Sequence, residues 1–244
     1  MTHELYIFYG LLLLVAFLYA SVGHGGASGY LALMAIFSVA PNVMKPTALL
    51  LNLFVSGTSF IQFYRANHFK WKTFLPFAIA SIPLAFLGGL IVVDGTIYKK
   101  MLGGFLLISA IRFLIFPNFK VTELRKSNIV LSLLIGAVIG FLSGMIGIGG
   151  GIILSPVLLL LKWTDQKQTA AISAAFIFVN SLSGLAGQLS KGIHFSEDML
   201  LYVTIAFAGG LIGSYFGALR FKQTVLKNVL AMVLIMAAYK LLNI

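Results

Sequence analysis

Residues 143–161 read Ser-Gly-Met-Ile-Gly-Ile-Gly-Gly-Gly-Ile-Ile-Leu-Ser-Pro-Val-Leu-Leu-Leu-Leu. Glycine is among the worst residues for a helix interior and the easiest to place in a turn, so the cluster interrupts any helix around it. The apolar run 149–161 reaches only about 20 Å as a helix, short of a hydrocarbon core of about 30 Å. Together with the run 129–143 it reads as a helical hairpin folded back at the glycines. Residues 21–29, Ser-Val-Gly-His-Gly-Gly-Ala-Ser-Gly, punctuate the apolar runs 5–21 and 27–40 in the same way.

Working outward from these two clusters, the same landmarks occur twice in the same order. Gly23-His24-Gly25-Gly26 answers to Gly147-Ile148-Gly149-Gly150, and Lys45-Pro46-Thr47-Ala48 to Lys167-Gln168-Thr169-Ala170. Arg65 with His68-Phe69 matches Lys191 with His194-Phe195, and Gly88-Gly89-Leu90-Ile91 recurs as Gly209-Gly210-Leu211-Ile212. Leu102, Leu106 and Arg112 then fall opposite Leu230, Leu234 and Lys240. Collinear landmarks of this kind are the mark of a duplication. The chain divides into a first repeat, 1–116, a charged linker, 117–128, expected on the cytoplasmic side, and a second repeat, 129–244. Each repeat holds five apolar segments: 5–21, 27–40, 44–64, 73–92 and 97–116, then 129–143, 149–161, 167–189, 198–219 and 224–243.

Composition names the solvent. Sixty per cent hydrophobic residues, a mean hydropathy of +1.03 and 9% charged residues in 244 positions cannot be hidden from water in one soluble core. The expected fold is therefore an all-α polytopic membrane protein, with the repeats forming one transport domain. The acids Glu4, Asp94, Glu123, Asp165, Glu197 and Asp198 all lie near a terminus or between apolar runs, so no carboxylate relay crosses the membrane and nothing repels an anion there. A net charge of +11 is scattered over short loops, which argues against nucleic acid as a partner. The absence of cysteine excludes disulfides and thiolate metal sites. No histidine and carboxylate sit paired on neighbouring segments, so neither enzyme chemistry nor a cofactor or metal is expected. Leu5–Ala20 lacks a basic leader and a small-residue cleavage pattern, and reads as a retained membrane segment.

Charge placement gives the topology. If each glycine cluster turns a hairpin, 12 of the 17 bases share one side, leaving Lys45, Lys99, Lys100, Lys191 and Lys240 on the other. A single fused span would split them nine against eight. The positive-inside rule favours the hairpin, in a cytoplasmic membrane with both termini outside the cytoplasm. Hairpins that cross and hairpins that re-enter give the same count. An odd number of crossings per repeat inverts the second repeat, bringing both glycine tips toward the midplane from opposite faces.

Irregular backbone at that depth must line a cavity or be buried in protein. A Gly-x-Gly-Gly turn that opens a helix presents backbone N–H groups at the positive end of the helix dipole, where an anion fits. The substrate-binding candidates are thus Gly23, His24, Gly25, Gly26, Gly147, Gly149, Gly150 and Gly151. Asn52, Ser56, Thr58, Ser59 and Gln62 on one third segment, with Asn180, Ser181, Ser183 and Gln188 on the other, are candidate neutral donors to an oxyanion; hydrogen bonding between helices competes for each. His24 stands where the other repeat has Ile148, and a histidine there is a candidate for coupling anion movement to protons. Arg65 and Lys191 are candidates for attracting anions at the two mouths. The spaced glycines Gly209, Gly213 and Gly217 read as a helix-packing stripe.

The run Gly144-Met-Ile-Gly-Ile-Gly-Gly-Gly-Ile-Ile-Leu-Ser-Pro156, with the weaker copy Ser21-Val-Gly-His-Gly-Gly26 and Lys-x-Thr-Ala after each, resembles the signature of the sulfite exporter TauE/SafE family. The resemblance spans the chain. It implies a small permease of twofold repeats, carrying sulfite, sulfoacetate or related organosulfur and carboxylate anions. That family is usually described with seven or eight spans, fewer than ten segments because the hairpins are counted differently. A secondary carrier that rocks its two halves around the glycine tips is the expected mechanism, and an anion channel using the same site remains the alternative.

Overall fold

The structure, a computed structural model, describes residues 2–115, 123–192, 197–219 and 223–243. The expectations for linker residues 117–122 and for Arg220, Lys222, His194 and Phe195 lie outside the described residues, as do the surroundings of Arg112, Gly217, Lys227 and Leu230. Among the described residues there are ten helices: α1 (Thr2–Ser21), α2 (Ala27–Ile36), α3 (Pro41–Arg65), α4 (Trp71–Leu90), α5 (Gly95–Ile115), α6 (Ile129–Ile146), α7 (Gly151–Leu160), α8 (Gln166–Leu189), α9 (Glu197–Leu219) and α10 (Gln223–Leu242).

Local chemistry sets several of these bounds. The Asn128 side chain accepts from Leu131 N and that of Asp165 from Gln168 N, capping α6 and α8. Asp94 Oδ1 accepts from Thr96 N and Ile97 N at the head of α5, and Pro41 opens α3 with no N–H to strand. Gly147, with φ +93°, ends α6 in the left-handed conformation.

Among the described residues, six helices are long and apolar enough to cross a membrane: α1, α3, α4, α6, α8 and α9. Their outward faces stay apolar, as at Ile79, Leu134 and Val138, which are 65%, 61% and 60% exposed. A soluble protein would hide such faces; here lipid covers them, and the chain is an all-α polytopic membrane protein. Helices α2 and α7 have 10 residues each and rise only about 15 Å. Each is the short return limb of a hairpin. Arg125 N donates to Lys162 O at 2.8 Å, so the chain re-emerges after α7 beside the start of α6. Phe8 stacks edge-on with Phe37 at 5.3 Å, joining the start of α1 to the end of α2.

Packing interleaves the two repeats. On α6, Gly136, Gly140 and Gly144 press against the backbone of Phe77, Ser81 and Ala85 of α4, so the two helices run parallel with their backbones almost touching. On α9, Gly209 and Gly213 press against Leu13 and Phe17 of α1 in the same manner, which makes them a packing stripe. Helix α4 also packs on α8 and α3 on α9, while α3 meets α8 and α5 meets α10. Packing partners are drawn from both repeats: α1 and α3 pack on α9, α4 packs on α6 and α8, and α3 packs on α8 at least as closely as on α9.

Three of the lysines gather at one end of the molecule. The start of α3, the ends of α4 and α8 and the start of α5 surround one cavity, bringing Lys45 and Lys191 together. Lys240 Nζ donates to Ile36 O at 2.7 Å and to Ser38 Oγ at 3.0 Å, tying the end of α10 to the end of α2 and hence to this same side. At the opposite end, His68 lies between α3 and α4. Burial first, and then the charge of Lys167 at the start of α8, hold its imidazole below its ordinary pKa, with Asp165 opposing.

Candidate functional site

Both glycine tips end at the same place. A Cβ on Gly25 would lie 2.6 Å from Asn52 Oδ1 and 2.7 Å from Ile177 Cγ2; one on Gly149 would lie 2.6 Å from Asn52 Nδ2, 2.8 Å from Ile177 Cγ2 and 3.0 Å from Ser181 Oγ. Asn52 and Ile177 are near the middle of α3 and α8, so the tips of two hairpins meet half-way along the bundle. Only glycine permits that approach, and at Gly149 φ is +73°, a conformation an L side chain resists. Asn52 Nδ2 donates to Ser181 Oγ at 3.2 Å, a bond between the two repeats.

Helices α2 and α7 start at this junction from left-handed N-caps, Gly26 with φ 95° and Gly150 with φ 77°, and neither start is capped by a side chain. Two positive helix ends thus converge on one buried region. Several fully buried polar atoms around it lack a partner: Asn52 Oδ1, Asn180 Oδ1, Ser143 Oγ and the Tyr30 hydroxyl, the last within 2.7 Å of where a Gly26 Cβ would stand. Unpaired polar atoms at such depth are costly unless something else satisfies them. Exchanging the two ends of the Asn52 amide would let Ser181 donate to it and would turn Nδ2 toward Gly25. Asn180 has no such freedom, because its Nδ2 donates to Phe176 O at 2.8 Å, so its Oδ1 remains an acceptor.

The other candidates separate into those at the junction and those away from it. Gly151 lies against Ile177 and Ser173, Gly150 against Ile139, Phe176 and Ser143, Gly23 against Ala170, and Gly147 against Lys45. Ser56 Oγ donates to Asn52 O and Thr58 Oγ1 to Val55 O, so both hydroxyls are used within α3. Ser183 Oγ donates to Ile82 O, away from the tips. Gln62 is half-buried, and Ser59 Oγ is buried without a partner on the turns of α3 beyond Asn52. Arg65 is exposed at the opposite end of α3 from Lys45, whereas Lys191 and Gln188 line the cavity. Among the described residues no group of histidine, cysteine or carboxylate could hold a metal.

His24 does not hang free in the tip. Its Nδ1 is 3.0 Å from Val22 O and its Nε2 2.9 Å from Ser155 Oγ on α7, which also meets Ser173 Oγ at 2.8 Å and Gly151 O at 2.7 Å. The positions that match these three across the duplication are Ile148, Leu31 and Leu51, all buried in one hydrophobic cluster. A polar chain of three that links the two repeats at one tip is answered by an apolar trio at the other. Ser155 and Ser173 were missed in the sequence because only the fold brings them to His24, although their alignment against two leucines was a usable signal.

The profile of the family described as sulfite exporter TauE/SafE matches residues 8–241. The chain belongs to the TauE/SafE family. Within the reach of that family, it is 36% identical over 238 residues to the probable membrane transporter protein y4hK of Sinorhizobium fredii, covering 93% of this chain and 94% of that one. The probable membrane transporter protein MJ0441 of Methanocaldococcus jannaschii is 30% identical over 165 residues, 66% of this chain and 61% of its own. A third relative, the probable membrane transporter protein ORF9 of a Sinorhizobium species, is 27% identical over 226 residues, 91% of this chain and 86% of that one. No solved structure gives a significant match. The chain is a multi-pass membrane transporter.

Proposed function

We propose that the chain is a secondary carrier of small oxyanions, of the class formed by sulfite, sulfoacetate and related organosulfur and carboxylate anions. The observation that carries this reading is the meeting of two uncapped helix starts, α2 and α7, at Asn52 and Ser181. Backbone amides of both tips, with the Asn52 amide and the Ser181 hydroxyl, supply neutral donors and positive dipole ends without a fixed charge. The two repeats are inverted, and the termini and the five-lysine end lie outside the cytoplasm, as positive-inside placement of the other bases requires.

Alternating access arises when the two halves rock around the glycine tips, exposing the junction to one end and then the other. His24 is the proton-coupling group. Ser155 has one hydroxyl hydrogen for three neighbours. With His24 neutral and Nδ1–H donating to Val22 O, Ser155 donates to Nε2. With His24 protonated, Nε2–H donates to Ser155, which then donates to Gly151 O or to Ser173. Proton arrival thus redirects a hydrogen bond at the first turn of α7. Asn180 Oδ1, an acceptor with no partner, favours an anion that brings its own hydrogen.

Thermal-shift titration of the purified protein with sulfite, sulfate, thiosulfate, sulfoacetate and small carboxylates tests the site. At least one anion is expected to stabilise the wild type, with the shift weakened in Ser181→Ala and absent in Gly149→Leu. No shift with any of them, or an equal response from both variants, removes the junction as the binding site. Counterflow in proteoliposomes separates a carrier, which exchanges labelled for unlabelled anion, from a channel, which does not.

A further inference from the structure

A cavity of about 630 Å³ opens at the five-lysine end between the starts of α3 and α5 and the ends of α4 and α8. Two lysines, Lys45 and Lys191, line it, and no carboxylate does among the described residues. Lys45 Nζ points two of its hydrogens toward Ile91 O at 3.3 Å and Gly89 O at 3.5 Å, which leaves a third for a ligand. Gln188 also lines the cavity; it is 1% exposed, and neither its Nε2 nor its Oε1 has a partner. Tyr98, another wall residue, has its hydroxyl committed to Ile146 O at 2.9 Å and offers no donor.

A buried primary amide with both ends unsatisfied, next to two ammonium groups, is a poor lining for an apolar occupant and a good one for a small oxyanion. The cavity reaches the second tip: Met145 lines it, and Gly147 lies against Lys45. Asn52 is two helical turns further along α3, about 10 Å deeper. We propose that this cavity is a second anion station, in which Lys45, Gln188 and Lys191 hold a small oxyanion before it passes to the glycine junction. The oxyanion sits with its oxygens toward the Lys45 ammonium and Gln188 Nε2, and Lys191 at the rim draws it in. The idea rests on the anion pathway proposed above but stands on different residues, and the two can fail separately.

The chain has no cysteine, so a single Val93→Cys substitution on the cavity wall gives one unique thiol. Its modification rates by a methanethiosulfonate carrying an ethylsulfonate and by one carrying a trimethylammonium, each corrected for reaction with a free thiol, read the electrostatics of the cavity with the sulfonate as probe oxyanion. The sulfonate is expected to react faster by about tenfold. Adding Lys191→Gln, at an exposed position where folding is not at stake, should bring the ratio toward parity, and Gln188→Leu should slow the sulfonate alone by about 3-fold. Gly149→Leu should leave the ratio untouched, so a failed junction does not mask a working outer station. Equal rates for the two reagents in the Val93→Cys protein, or a ratio indifferent to both Lys191→Gln and Gln188→Leu, overturns the proposal.

Discussion

Gly149 carries two constraints at once, a positive φ and a wall 2.6 Å from where a side chain would begin. Gly149→Ala should therefore destabilise the protein by about 1–3 kcal/mol and remove anion-induced stabilisation, whereas Gly10→Ala, with nothing within 4 Å, should leave melting unchanged. Melting curves of both in one detergent decide this. His24→Ile copies the residue of the sibling repeat but strands Ser155 and Ser173; His24→Gln keeps a hydrogen-bonding group facing Ser155 without a group that titrates near neutrality. Flux through His24→Gln is expected to persist while its dependence on pH between about 5 and 8 flattens, and an unchanged pH profile would remove His24 from proton coupling. At this scale the sequence was legible where a residue type forbids alternatives, as at the tip glycines. It was not legible where chemistry depends on partners. Ser56 and Thr58 look like free donors in a string of letters, yet their hydroxyls turn back onto α3, and Lys45 looks like a landmark until Gly89, Ile91 and Gln188 surround it.

The elements were the most readable part. Apolar run length and glycine interruption placed all ten segments, and the observed helices differ from them by a few residues, most at α2, which stops at Ile36 where the run continued to residue 40. Ser38, with φ 59°, breaks the helix there, a turn that hydrophobicity alone does not reveal. The pairing of elements was less readable, because a small-residue stripe announces a close neighbour without naming it. Gly140 meets the backbone of Ser81 of α4. Gly140→Leu should force α4 and α6 apart at a cost of about 1–3 kcal/mol or more, seen as loss of a monodisperse peak in size-exclusion chromatography. A substitution to leucine at Gly104, which has open space around it, is the control.

For the whole molecule, the grouping of bases predicts sidedness. Single cysteines at Thr96 and at Lys126 should differ in intact cells: an impermeant maleimide should label the first without lysis and the second only after it. The reverse pattern would invert the orientation. The helical membrane architecture and its two glycine tips were legible. Which helices pack closest was not, because this follows from backbone approach between α4 and α6 and between α1 and α9 rather than from chain order.

That interleaving reaches beyond transport. Helix α6 finds its closest neighbour in α4 and α1 finds its own in α9, so the closest packing of each repeat is completed by the other. A polypeptide ending at the linker would insert its helices and then wait, unfolded, for a complement. Supplied in trans, the second repeat should rescue it, since the covalent joint contributes proximity and an equal ratio of the two parts. A duplicated gene with this architecture could have begun as two separate chains that were already obligate partners, with fusion fixing their stoichiometry afterward.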